Sequence, residues 1–182
     1  MDPQRSDAEL VTAAGRGDTE AFETLYLRHR DWVVRLAWRF TRDEQAAMDV
    51  AQEAFIHLLR KLPTLRLTAK LTTYMYPIVR NIATTGHRLR IRRAEVEGDA
   101  PARVESTPGA DSAGTGALAS ALDALPDAQR EVVLMRIVDE MSLDEVSAAL
   151  GIPEGTVKSR LHNALAALRA DPALREYFLP EF

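Results

Sequence analysis

The chain has 182 residues, room for one large domain or two small ones, with aromatic (6%) and charged (27%) fractions ordinary for a globular protein. Cysteine is absent, which excludes disulfides and thiolate metal sites and fits a reducing compartment. The formal net charge of −4 argues against a polyanion partner only until it is divided along the chain. Residues 1–93 carry 16 Lys/Arg against 11 Asp/Glu, residues 94–117 one against five, and residues 118–182 six against 11. From Ala54 to Ala94 there are nine Lys/Arg and no acid. Such asymmetry marks a polyanion-facing surface in an otherwise acidic molecule.

No basic-then-apolar leader opens the sequence, and no run approaches the roughly 20 apolar residues of a membrane span. A cytoplasmic protein without membrane insertion is expected. Over residues 18–40 the apolar positions Phe22, Leu25, Tyr26, Val33, Leu36, Ala37 and Phe40 keep a helical period, with Asp18 as N-cap. Residues 43–62 repeat it with Val50, Ala54, Phe55, Leu58, Leu59 and Leu62, and Pro63 stops that helix. A third helix is predicted from Lys70 to about Arg90, with Pro77 inside it as a kink. Alternating runs and Asn-Gly hairpins are lacking, so residues 1–93 are predicted to be an all-α domain.

The stretch Ala94–Gly116 is rich in Gly, Pro, Ser and acid and cannot bury enough apolar surface to fold alone. It is expected to be a flexible acidic linker over 94–117. Its 23 residues could reach about 75 Å when stretched, about two turns of DNA at roughly 34 Å per turn. A second module is predicted over 118–170, opening with Leu118, Ala121, Leu122 and Leu125 on one helical face. Pro126 breaks that helix, and another runs from about Ala128 to Val138. The tail 171–182 brings Tyr177 and Phe178, which either dock or fray.

The most informative segment closes the second module. Ser142 followed by Glu145 is a capping box, Val146, Ala149 and Leu150 form an apolar face, and Gly151 stands where a helix end wants positive φ. Pro153 suits the opening turn of the next helix. There Val157, Leu161 and Leu165 are expected to point inward, leaving Lys158, Ser159, His162 and Asn163 outside. This is the layout of a helix-turn-helix whose second helix enters the DNA major groove. The plain alternative is a helical hairpin that only packs.

Taken together, two helical modules, an acidic linker and a C-terminal helix-turn-helix resemble a bacterial sigma factor of the extracytoplasmic-function group of the sigma-70 family. Three motifs carry the resemblance. Asp49-Val-Ala-Gln52-Glu53-Ala-Phe55 is similar to that family's D-x-x-Q-E-x-F signature. Thr73-Tyr74-Met75-Tyr76-Pro77-Ile78-Val79-Arg80-Asn81-Ile-Ala83 resembles its −10 reader, and Leu125-Pro126 through Leu161 its −35 reader.

The resemblance implies a transcription initiation factor that binds core RNA polymerase and directs it to promoters, helping to open the DNA. Its implied partners are core polymerase (the largest and second-largest subunits), promoter DNA and an anti-sigma factor. Asp49, Gln52, Glu53 and Phe55 would dock on the clamp-helix coiled coil of the largest subunit. The three polar residues sit at i, i+3 and i+4, on a face expected to lie opposite Val50 and Phe55. Their bland reading is a solvated face. Arg66, Lys70, Tyr76, Arg80, Asn81, Arg88, Arg90, Arg92 and Arg93 would serve the −10 element. There cations hold phosphates and a flipped base enters a pocket at the loop Leu65–Ala69 and the Asn81 amide. Of the two nearby rings, Tyr74 is the one expected to pack inside.

For the −35 element, Lys158, Ser159, His162 and Asn163 are expected near bases or adjacent phosphates, with Thr156 and Arg160 on the backbone. Departures from the family pattern are Arg66-Leu67-Thr68 in place of an Arg-Gly-Asp-like loop, Tyr74 for tryptophan, Pro77 for a polar residue, and Asn163 for arginine. His29, His57, His87 and His162 show no metal-ligand spacing, so no metal or cofactor is predicted. Nothing resembles a catalytic triad or a phosphate-cradling glycine loop, and no enzymatic activity is expected. The competing reading is a freestanding helix-turn-helix repressor or activator, which predicts dimers and a palindromic site.

Overall fold

The computed structural model describes residues 5–97 and 113–174, with side chains over 5–86 and 116–174. Every regular element among the described residues is helical. The chain divides into two compact units, Met1–Glu105 and Ser106–Phe182, and each is described by itself.

In the first unit α1 (Asp7–Ala14) is started by a capping box. The Ser6 hydroxyl accepts from the Glu9 N–H, and the Glu9 carboxylate accepts from the Ser6 N–H at 2.8 Å. This helix lies ahead of the first one predicted from the sequence. Helix α2 (Thr19–Thr41) begins where Asp18 accepts from the Ala21 N–H at 3.0 Å, and α3 (Glu44–Lys61) where Asp43 accepts from Ala46 at 2.6 Å. Helix α4 (Leu71–Glu97) extends well past Arg90 and continues through Pro77. The backbone over 94–97, expected to be linker, is therefore its last turn.

The core of this unit is the meeting of Leu25, Val33, Leu36 and Ala37 of α2 with Ala47, Ala54 and Leu58 of α3 and Leu71, Met75 and Val79 of α4, all buried. Short α1 closes it with Leu10 and Val11. A buried aliphatic side chain of this size contributes roughly 1.5–3 kcal/mol, so these stripes, more than helix propensity, hold the elements.

The second unit opens with α5 (Ala113–Ala124), whose first residues fall within the stretch 94–117 read as linker. Helix α6 (Asp127–Val133) runs directly into a π-wound turn, Leu134–Val138. Then come α7 (Leu143–Leu150), α8 (Glu154–Ala170) and a 3₁₀ turn at Pro172–Leu174. Ala121, Leu125, Val133, Ala164, Leu168 and Leu174 form one apolar cluster. Leu174 ties the start of the tail to α5 and α8. Tyr177 and Phe178 lie outside the described residues.

Candidate nucleic-acid and protein interfaces

Helix α3 has two working faces. One buries Ala47, Val50, Ala54 and Leu58. The other puts Met48, Gln52, Phe55 and Leu59 at i, i+4, i+7 and i+11, the seam spacing by which a helix receives a partner helix. With Phe22, Tyr26 and Val34 of α2 these residues line a groove of about 500 Å³. Met48 is 51% and Leu59 49% exposed. Phe55 is buried in the floor, its ring edge-on to Tyr26 at 4.9 Å between centroids.

Asp49 and Gln52 also line this groove, and the Gln45 amide donates to Asp49 at 3.4 Å. The sequence reading set Asp49, Gln52 and Glu53 on a flat polar face opposite Phe55. That geometry is corrected here: Asp49, Gln52 and Phe55 share one surface, a polar rim over an apolar floor. Glu53 stands exposed outside the lining. The sequence reading placed Leu59 in the general apolar period of α3 and passed over Met48 and Ile56; the spacing of Met48, Phe55 and Leu59 was the available signal.

The second surface is the loop from Leu62 to Lys70 with the following helix. Arg66, Lys70, Arg80 and Asn81 are all exposed, and Arg66 donates to the Leu65 carbonyl at 3.1 Å. Tyr76, expected to contact DNA, is instead in the core. It is 2% exposed, with its ring edge-on to Phe40 at 6.4 Å between centroids. Tyr74, expected inside, is half-buried, and partial desolvation raises its phenol above the ordinary range. The reason is helical phase: Met75, Tyr76, Val79 and Ala83 make the inward stripe, which turns Tyr74 away. Backbone of α4 carries Arg88, Arg90, Arg92 and Arg93, but their side chains lie outside the described residues.

The third surface is the helix-turn-helix. The Ser142 hydroxyl accepts from the Glu145 N–H at 3.1 Å, while the Glu145 carboxylate accepts from the Ser142 N–H at 2.7 Å. Gly151 has φ 64 and ends α7, and the Ser147 hydroxyl donates to the Ile152 carbonyl at 2.6 Å, tying the turn. On α8 the buried stripe is Val157, Ala164 and Leu168, with Leu161 packed against the core cluster. Leu165 is only half-buried. That stripe leaves Lys158, Ser159, His162 and Asn163 exposed, with Thr156 and Arg160 half-buried on the flanks. The Lys158 ammonium is held by Glu154 at 2.6 Å and the Ser159 hydroxyl donates to the Thr156 carbonyl at 3.0 Å. Both side chains must exchange a local partner to meet DNA.

No group of three or more potential metal ligands occurs among the described residues. No helix among them is long and apolar enough to cross a membrane.

Comparison with known proteins fits this arrangement. Residues 25–94 match Sigma-70 region 2, and residues 115–168 match Sigma-70, region 4. The chain belongs to the sigma-70 family, whose members are transcription initiation factors rather than enzymes. Within it, the relatives place the chain in the ECF group of RNA polymerase sigma factors. It is 30% identical over 172 residues to the ECF RNA polymerase sigma factor SigW of Bacillus subtilis, covering 85% of this chain and 90% of that one. It is 34% identical over 169 residues to the ECF RNA polymerase sigma factor SigM of Mycobacterium tuberculosis, covering 91% and 84%. Among solved structures, CnrH in complex with the cytosolic domain of CnrY superposes with a TM-score of 0.69 at 25% identity, covering 96% of this chain and all 100% of that one. RpoE of Bartonella quintana, solved with the anti-sigma factor NepR, shares the fold at a TM-score of 0.63 and 22% identity, covering 85% and 96%.

Proposed function

We propose that the three surfaces divide the work of this sigma factor. The α2–α3 groove receives a helix or helical hairpin of core RNA polymerase, its apolar floor supplying affinity, Asp49 and Gln52 at its rim fixing register by charge-assisted bonds, and Glu53 adding a contact outside the groove. The loop Leu62–Lys70, with Arg80 and Asn81, holds the unpaired strand of a −10 element. Helix α8 enters the major groove at −35, with Ser159, His162 and Asn163 toward base edges and Thr156 and Arg160 toward phosphates. All three steps take place in the cytoplasm, beside the polymerase. An anti-sigma factor competes for the same faces.

The observation that carries the reading is the groove's seam of Met48, Gln52, Phe55 and Leu59. An exposed apolar seam with a polar rim suits a helical protein partner. Met48→Glu and Leu59→Glu place a charge in that floor without disturbing the core. Each should leave the melting temperature unchanged and reduce co-purification with core polymerase at least tenfold. Undiminished assembly by both would remove the groove from the account.

A further inference from the structure

One cluster on α2, with Arg35 and Trp38 exposed and Arg39 and Arg42 half-buried, is used by none of these surfaces. Arg35, Trp38, Arg39 and Arg42 recur at i, i+3, i+4 and i+7 over the last turns of α2 and its C-cap, a spacing that sets them along one side of the helix. It lies away from the core stripe of Val33, Leu36 and Ala37. Trp38 is 44% exposed, and the Arg42 guanidinium carbon sits 5.2 Å from its ring centroid, within cation–π range.

Arg42 reaches that position through a left-handed backbone, φ 51, its N–H bonded to the Trp38 carbonyl at 2.9 Å. Helix ends that adopt this conformation normally use glycine or asparagine, because a Cβ is penalised there. The chain tolerates the strain and with it holds a flat cation over a flat aromatic.

We propose that this face is a single-stranded DNA contact, separate from the loop and helix that follow α3. An indole paired with a guanidinium is a stacking platform that every base fits, and flanking arginines hold the phosphates on either side. An acidic protein segment would use the cations but leave the exposed indole without a role. The site adjoins the start of α3, whereas the Leu62–Lys70 loop begins at that helix's other end, about 27 Å along its axis. A strand contact on α2 is measurable on the free chain.

The experiment is fluorescence anisotropy of a labelled, mixed-sequence single-stranded oligonucleotide of about 12 nucleotides. It is titrated at low salt with the full chain, with Trp38→Ala, with Arg42→Gly, and with the double variant Arg80→Ala/Asn81→Ala. Trp38→Ala and Arg42→Gly should each weaken binding roughly tenfold, the scale of one base–aromatic stack. Arg42→Gly should melt no lower than the parent, since glycine relieves the φ strain, so its loss of binding cannot be ascribed to misfolding. Parent-like binding by both α2 variants overturns the proposal, including the case in which they instead assemble less holoenzyme, which would make the face a protein interface. A loss confined to the Arg80/Asn81 variant rejects the α2 site alone and leaves the strand-reading role of α4 standing. No measurable binding by the parent overturns the α2 site, while the role of α4 on polymerase is decided separately by run-off transcription.

Discussion

At Thr73 two gaps in hydrogen bonding coincide. Its hydroxyl is buried and has no partner among the described residues. Its carbonyl faces the position of Pro77, which has no N–H to donate four residues on. A buried polar group left unpaired costs about 1–3 kcal/mol. Thr73→Val keeps the shape and removes the unsatisfied hydroxyl, so it should raise the unfolding free energy by about 1 kcal/mol in urea titration. A fall instead would mean that the hydroxyl has a role in the folded chain. Asp7 makes the opposite case. Its carboxylate accepts from the His29 ring at 2.8 Å and from Arg28 at 2.6 Å, and these partners, His29 first, hold it below the ordinary value of 3.8. A depressed carboxylate stabilises the fold above its unfolded pKa, and that contribution is lost as pH falls through the folded value. Asp7→Asn should therefore lower the melting temperature at about pH 7, by an amount within about 1 kcal/mol. The gap from the parent should close below the ordinary carboxylate value; a gap that persists into stronger acid would contradict the assignment.

Among elements, α1 and α7 end in glycines that are there for different reasons. Gly15 has an ordinary helical φ of −64, but a Cβ on it would lie 2.5 Å from the Leu62 carbonyl oxygen. Its bareness lets the end of α1 touch the end of α3. Gly151 faces open space and is required by its φ of 64. Gly151→Ala should cost about 1 kcal/mol and leave the first unit untouched. Gly15→Ala must push backbone from backbone and should cost about 2 kcal/mol, freeing α1 to faster hydrogen exchange. Equal, small losses would show that α1 docks loosely.

The same elements show what the sequence could and could not disclose. Helices α2, α7 and α8 were legible because caps and apolar period agree at Asp18, Ser142 and Gly151, and α3 was legible from its apolar period and Pro63. Helix α1 was missed, although Ser6 and Glu9 form the same capping box, because eight residues span barely two turns and give little period to read. The π-wound turn at Leu134–Val138 was not legible: its winding leaves Ile137 and Val138 exposed, and no local propensity specifies it. Two tyrosines two apart in α4 were assigned to the wrong sides because the motif, rather than the phase of Met75, Val79 and Ala83, was used to orient them. The groove escaped for a related reason. Only the fold brings Phe22 and Tyr26 of α2 against Met48 and Leu59 of α3.

On the scale of the whole molecule, the excess of Lys/Arg over residues 1–93 and of Asp/Glu over 118–182 assigns the two units unequal tasks. An acidic −35 reader is repelled by phosphate and should grip duplex DNA poorly alone. Held on polymerase beside a second DNA-binding unit, its encounter with DNA becomes intramolecular, and weak contacts suffice. A freestanding repressor would need the reverse, tight binding by itself. The direct measurement is run-off transcription by core polymerase on a promoter library, with and without this chain, alongside duplex binding by the chain alone. The account predicts initiation at a distinct subset of promoters only when both are present, and no tight duplex binding at physiological salt without polymerase. Transcription no different from core enzyme alone, or nanomolar binding of a promoter duplex by the free chain, would contradict it.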